Sequence, residues 1–530
     1  MRSVIFGVDG LTFRILHPLI ERGDLPNFQR LSQQGCEAVL ESKYPPVTPA
    51  AWTSLSTGLK PAKHGVYDFW EYAEQQERGA ARKTSVQTHR KGGKAIWNIL
   101  SEYGKQVLVI NVPVTYPPET VNGIMVSGYM TPSTDVDFTY PATFKEELFR
   151  AVPEYEIDVD LRGIFRGQVD EGKVRLVDAV LRMTERRIDL MMHLLKEKPW
   201  DFCYVAFVGA DRLQHSLWEE ISSLDKRATE YYRLLDHALG LILDQLGPDD
   251  TLFIISDHGF QGASTLFDIN EFLLSKGLLQ LSSSERRDKA ARTANLKHTM
   301  QQLGLLSLAR KAKRRLQSSS VALGRVKKYS GDIYHPLLTE INWEDTRAYV
   351  PSMSGFLGGY ADIFLDDRLE DEALARLRDE LHRQVNPQNG KPLIDAIYST
   401  EVFGSGPYAP PEQHLLLLPT DGITFQMKLG NTRFWSEMSE MRGTHQKDGV
   451  LYAYGGGIKK GYKAPNAEVF DLVPTVLRSM GLPLPGEFDG RVLHELLEEQ
   501  PSSEQKLVAA SSGAEGSQTR RKLKKLLDEA

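Results

Sequence analysis

The chain has 530 residues, 41% hydrophobic and 25% charged, an ordinary globular composition, and its net charge of −6 gives no ground for a specific nucleic-acid partner. No apolar run reaches the roughly eighteen residues of a membrane span. The two cysteines, Cys36 and Cys203, have no CxxC neighbour, which argues against a disulfide framework or a thiolate zinc site.

Residues 2–8 (RSVIFGV) form a short apolar run ahead of a glycine, the pattern of a buried strand. With a strand opening the chain there is no room for a signal peptide, and the simplest expectation is a cytoplasmic protein. Helical apolar spacing follows at 94–105, and strand-like runs recur at 106–112, 202–208 and 251–256. Residues 173–198 are long and amphipathic, and 228–247 end in Gly followed by Pro, a helix stop. This alternation predicts an α/β fold with a mostly parallel sheet sandwiched by helices.

The rhythm breaks near residue 263. From Glu285 to Lys328 there are thirteen Lys/Arg and two acids, a balance of +11 that leaves −17 for the rest of the chain. The segment reads as an inserted helical cap with a solvated basic face. Steering of phosphate-bearing substrates and weak contact with an anionic membrane surface are the alternatives. Regular patterns return at 341–350, 360–383 and 469–493, and the Ser/Ala/Gly/Lys/Glu-rich end reads as a disordered tail. A length prior of about 150 residues per domain suggests three or four domains. The candidate ligands nevertheless run from Asp9 to His445 and must meet in one place, which favours one large domain with insertions. The expected organisation is a first core part at 1–262 and a mainly helical basic insertion at 263–340. A core continuation with small α/β cap elements follows at 341–499, and a tail at 500–530.

Six possible metal ligands surround one threonine in this pattern. Asp9 closes the first strand, Asp211 and His215 lie four apart after the third, Asp257 and His258 follow the fourth, and His445 stands in GTHQ. Sites in open α/β sheets form beyond the carboxyl ends of the strands, which is where Asp9, Asp211 and Asp257 fall. An i, i+4 pair shares one helical face, and Asp and His are both zinc ligands. Adjacent strand residues point to opposite faces, so Asp257 and His258 both ligate only where the strand breaks, which Gly259 permits. Thr48, before Pro49, reads as a helix N-cap, a position where free N–H groups favour an anion. Each pattern alone also has an ordinary reading: a cap, a surface pair, a strand-end turn. Together they make two three-ligand sets sharing a nucleophile, as a two-metal phosphoryl-transfer site requires.

The conjunction resembles the alkaline phosphatase superfamily, and most closely its nucleotide pyrophosphatase/type I phosphodiesterase-like branch. The resembling motifs are VDG at 8–10, TPAAWTSLSTG with PAKHG at 48–65, DRLQH at 211–215, SDHG at 256–259 and GTH at 443–445, over most of residues 1–493. The resemblance implies an alkaline phosphatase-like fold with Asp9, Thr48, Asp257 and His258 on one metal and Asp211, His215 and His445 on a second. Zinc is the expected metal and manganese the alternative. It further implies hydrolysis of a phosphate ester, expected to be a diester, through a covalent phosphothreonine on Thr48. A phosphomutase or a non-catalytic metal-binding scaffold remain as rivals. The chain departs from type I phosphodiesterases at Ala51, where they place an Asn that binds the phosphoryl oxygen. It also lacks a clear counterpart of the monoesterases' phosphate-binding arginine. Trp52, Lys63, His64 and Arg442 are the candidates for substrate contact. The sequence leaves the oligomeric state open.

Overall fold

The computed structural model describes residues 1–43, 45–72, 84–86, 89–164, 169–282, 341–350, 359–386, 389–410, 413–426, 429, 434–486 and 488–498. The charged run at 285–328 and the tail from 500 onward fall outside the described residues.

The apolar runs become strands β1 (Ser3–Val8), β3 (Val107–Ile110), β6 (Phe202–Phe207) and β7 (Thr251–Ile255), every residue of which is buried. Continuous burial is what strands covered on both faces require, and these four lie together in parallel. β1 sits between β6 and β7, with Ser3 level with Phe202 on one side and Thr251 on the other. β3 follows β6, then β4 (Gly123–Val126) in parallel and β5 (Thr139–Tyr140) antiparallel. On the other side β11 (Asp448–Gly455) runs antiparallel to β7 and to β2 (Cys36–Glu41). Two short strands, Tyr462–Lys463 and Ala467–Glu468, complete a ten-stranded sheet.

Alternate side chains of the central strands feed two separate cores. Val4, Phe6, Cys203, Val205 and Phe207 pack under the long helix α2 (Val169–Glu197), under α4 (Glu230–Leu243) and under the helices at 13–34. Ile5, Phe202, Tyr204 and Ala206 pack on the other face, against α1 (Thr48–Thr57) and the helices Ile96–Glu102 and Leu472–Ser479. Each fully buried Val, Ile or Phe contributes about 1.5–3 kcal/mol over exposure. The predicted sheet sandwiched by helices is therefore present.

A second sheet grows from the first. β8 (Gly259–Asp268) pairs in parallel with β9 (Gly422–Gln426) and antiparallel with β10 (Trp435–Gln446). The expected insertion boundary at residue 263 falls inside β8, so residues 263–268 are sheet rather than helical cap. Four further strands, from Ala348–Tyr349 to His414–Pro419, and the helix Asp371–His382 build a smaller α/β unit with its own core. This unit reaches the main sheet through Tyr360, Phe403, Leu416 and Leu418, which pack on Val47 and Ala50 on either side of Thr48. Among the described residues no helix is long and apolar enough to cross a membrane.

Candidate functional site

All six candidate ligands meet beyond the carboxyl ends of β1, β6 and β7. Asp9 follows the last residue of β1, and its N–H donates to the Phe207 carbonyl at the end of β6 (2.8 Å). Asp257 and His258 fill the break between β7 and β8. Gly259 allows this break through close approach rather than an unusual φ: a Cβ there would lie 2.1 Å from the Asp448 carbonyl oxygen. Asp211 and His215 stand one turn apart on α3 (Gly209–Ser222). His445, far along the chain, arrives on β10 opposite Phe260.

The donors form two adjoining groups. Nε2 of His215 and Nε2 of His445 are 3.1 Å apart, and they lie 3.2 and 3.1 Å from Asp211 Oδ1. Nε2 of His258 lies 3.2 Å from Asp257 Oδ2 and 3.6 Å from Asp9 Oδ1. The groups touch where the His258 and His445 rings stack at 3.6 Å between centroids. Donor atoms of Asp9, Asp257 and His258 all lie within 4.8 Å of one another, and so do those of Asp211, His258 and His445.

The protonation pattern follows from the outer contacts. Each imidazole directs Nδ1 at a backbone carbonyl: His215 at Gly443 (3.1 Å), His258 at Gly259 (3.2 Å) and His445 at Pro46 (3.0 Å). A carbonyl only accepts, so each Nδ1 carries a proton, and where burial keeps the ring neutral, at His258 and His445, Nε2 holds a lone pair. Those two lone pairs face the carboxylates of Asp9, Asp257 and Asp211. Asp9 Oδ1, Asp257 Oδ2 and His258 Nε2 are buried with no hydrogen-bond partner. Buried acceptors facing acceptors are costly unless a cation lies between them. Nitrogen and oxygen donors of this kind, with outer hydrogen bonds fixing the rings, suit divalent metal ions.

The charges agree. Burial, then repulsion from Asp257 and Asp211, holds the Asp9 carboxyl well above the usual carboxylate range, and burial with repulsion from Asp211 does the same at Asp257. Burial also pushes Asp211 up, but His215, His445 and Arg212 outweigh it and hold that carboxyl well down. Burial keeps His258 and His445 neutral, their affinity for protons pushed down.

Thr48 is buried at the start of α1. The helix begins one residue earlier than expected: Val47 is the cap, Thr48 the first helical residue and Pro49 the second, and no side chain caps the end. The Thr48 hydroxyl is therefore not spent as a cap. The neighbouring contacts bracket it against both donor groups. Two residues before it, the Pro46 carbonyl accepts from His445; one turn after it, Trp52 Nε1 donates to Asp9 Oδ2 at 3.4 Å. The Trp52 ring lies directly over Gly7, where a Cβ would be 2.5 Å from it, so only glycine at this point of β1 admits the ring.

Of the four candidates for substrate contact, Trp52 alone touches the donor set in the described contacts. Lys63 pairs with Asp489 (2.7 Å). His64 is fully buried, accepting at Nδ1 from the Val66 N–H (3.2 Å) and meeting the Ser54 hydroxyl at Nε2 (3.0 Å). Arg442 is exposed on β10 opposite Ala263. Lys63 and His64 thus have partners within the protein, and Arg442 lies on the exposed face of β10. Sequence reasoning missed Arg212, which touches Asp211, and Gln214, whose amide donates to the Gly10 carbonyl (2.8 Å). Both lie inside the DRLQH motif, and Gln214 sits three residues from Asp211, on neighbouring helix positions. The carbonyls of Pro46 and Gly443 carry no sequence signal.

The family model described as type I phosphodiesterase / nucleotide pyrophosphatase matches residues 3–356, which include five of the six donors and Thr48, with His445 beyond its end. No curated protein matches the chain. Among solved structures, the chain is similar to phosphonoacetate hydrolase from Sinorhizobium meliloti 1021. In complex with phosphonoformate it is 14% identical, with 89% of this chain and 94% of that one covered at a TM-score of 0.52. In complex with phosphonoacetate it is 13% identical over the same shares, with a TM-score of 0.53. Murine ectonucleotide pyrophosphatase/phosphodiesterase 5 is 12% identical, covering 94% of this chain and 100% of that one with a TM-score of 0.49. The hydrolase likeness bears out the alkaline phosphatase-like fold. With two-thirds of its length matched by the family model, the chain belongs to the type I phosphodiesterase/nucleotide pyrophosphatase family of metal-dependent phosphohydrolases.

Proposed function

We propose that this chain hydrolyses phosphate diesters through a phosphothreonine on Thr48, at a site for two divalent ions. Asp9, Thr48, Asp257 and His258 would hold one ion, and Asp211, His215 and His445 the other, with zinc the first choice and manganese the alternative. The observation that carries this reading is the convergence of three imidazole Nε2 atoms on three buried carboxylates, with Asp9 Oδ1, Asp257 Oδ2 and His258 Nε2 left without a hydrogen-bond partner. When bound, the ions supply Lewis acidity that favours the Thr48 alkoxide and offsets charge on the phosphoryl oxygens.

The chain's own groups do the rest. The first turn of α1 presents N–H groups with no partner inside the helix, a setting that favours the phosphoryl anion. Trp52 occupies Asp9 Oδ2 and leaves Oδ1 directed at the donor set. Thr48 Oγ1 attacks phosphorus, the bond to the leaving oxygen breaks, and the departing alcohol gains the proton that Thr48 gives up to solvent. Water then attacks phosphorus, the Thr48 ester bond breaks, Thr48 Oγ1 takes back a proton that the water gives up, and a phosphate monoester leaves. Two in-line displacements give net retention at phosphorus. Arg212, the arginine that contacts Asp211, has each of its nitrogens on a carboxylate, which fits a substrate carrying one phosphoryl charge fewer than a monoester.

The test is turnover of paired aryl phosphate monoesters, diesters and phosphonates with several divalent metals, following both phosphate release and phosphate transfer. Metal-dependent diester hydrolysis is expected. Equal turnover in chelated, metal-free protein would contradict the reading, transfer to a second hydroxyl would favour the mutase, and metal binding without turnover would favour the scaffold.

A further inference from the structure

We propose that Arg212 is a positioning residue that fixes Asp211 for the second ion and thereby sets that ion's affinity without touching substrate. The inference rests on the two-ion reading above.

Arg212 lies one residue beyond Asp211 on α3, yet its side chain turns back to it. Nη1 donates to Asp211 Oδ2 at 2.5 Å. That leaves Asp211 Oδ1 as the oxygen facing Nε2 of both His215 and His445. The two oxygens of one carboxylate are thus divided, one to the guanidinium and one to the imidazoles. A carboxylate with a free χ2 would rotate between these settings, and the Arg212 contact removes that freedom.

The guanidinium is itself held from two other parts of the chain. Nε and Nη2 donate to Asp158 Oδ1 and Oδ2 at 3.2 and 2.8 Å, a fork that matches the planar carboxylate. The Tyr129 ring lies against it, 4.4 Å from centroid to Cζ. Asp158 comes from the loop before α2, Tyr129 from the loop after β4, and Arg212 from α3, so three segments meet on one cation. Each guanidinium nitrogen already donates to a carboxylate, and only 7% of the residue is exposed, so it is not offered to a phosphoryl oxygen. Lysine has one ammonium and no fork, and cannot meet Asp158 and Asp211 in this geometry. Outer partners of ligating carboxylates typically change metal affinity about 10–100-fold when removed.

The experiment is chelator-competition titration of both ions in the full chain, for wild type, Arg212→Met, Arg212→Lys and Asp158→Asn, with folding checked by circular dichroism. Arg212→Met should weaken one ion by about 10–100-fold and leave the other within a few-fold. Arg212→Lys should fall between, since it keeps the charge and loses the fork. At saturating metal, kcat should recover towards wild type with KM unchanged, which loss of a substrate contact would not allow. If Arg212→Met does not fold, Asp158→Asn carries the test, because Asp158 is part-exposed and its loss unpins Arg212 without emptying the space. Two unchanged affinities in a folded variant, or both falling together, would overturn the proposal. A wild-type chain that holds fewer than two ions would instead overturn the two-ion reading on which it rests.

Discussion

The donor cluster at the sheet edge and the turn Pro61–Gly65 behind α1 both bury histidine, and they satisfy it in opposite ways. At the sheet edge each imidazole donates from Nδ1 to a carbonyl and turns Nε2 towards carboxylates. In the turn, His64 accepts from the Val66 N–H and gives its own N–H to the Ser54 hydroxyl, so both nitrogens are paired within the protein. Burial alone therefore does not mark a site. What marks it is a set of buried groups that the protein leaves mutually unsatisfied.

The largest expected effect is in the cluster. Asp257→Ala and His215→Ala should each lose mainly one ion by elemental analysis and lower turnover by about three decades or more, on the scale seen when parts of a catalytic unit are removed. Retained content of both ions in either variant would erase the contrast with the turn.

The second effect belongs to the turn and concerns pH. Burial, then the nearby Arg90, pushes the His64 imidazole down to about 3 from its ordinary 6.5. The unfolded chain then binds a proton that the folded chain refuses, so stability is present above pH 6.5 and is lost as pH falls towards 3. Between pH 6.5 and 4.5 this loss is about 2–3 kcal/mol from the two units involved. His64→Gln should flatten that part of the acid limb in denaturant titrations while leaving metal content unchanged. A loss of metal instead would move His64 into the site.

A smaller effect links the two regions through α1. Trp52→Phe removes the long hydrogen bond to Asp9 while keeping an aromatic ring at this position of α1, and should cost about 0.5–1.5 kcal/mol of transition-state stabilisation, no more than about a tenfold drop in kcat/KM. Smallest is Lys63→Ala. Its pair with Asp489 is partly exposed, and such pairs are worth about 0–1 kcal/mol, so KM for an aryl diester should stay unchanged. A tenfold rise in KM would restore Lys63 as a substrate contact.

Much of this was legible in the sequence because strand burial and strand ends are local properties. Continuous runs such as VIFGV and FCYVAF mark the central strands, and Asp9, Asp211, Asp257 and His258 follow such runs within a few residues. The DRLQH spacing foretold the shared face of α3. The second sheet was not legible, because β8 follows β7 after a three-residue break and its partners β9 and β10 arrive only at residues 422 and 435. Nor could the sequence show how His64 and His445 are each satisfied. Both follow a small or basic residue in a short motif, and only the three-dimensional partners decide which nitrogen is spent. Arg212 was hidden for the same reason, since Asp158 and Tyr129 lie far from it along the chain.

The central claim is that Thr48 is the nucleophile, and rapid acid quench of wild-type protein with a labelled diester tests it most directly. Label should be trapped on the peptide that carries Thr48, with none in Thr48→Ala, and that variant should lose about three decades or more of turnover with fold and most metal retained. Unlabelled wild-type peptide together with near-wild-type turnover in Thr48→Ala would contradict it, and would mean that water attacks phosphorus directly.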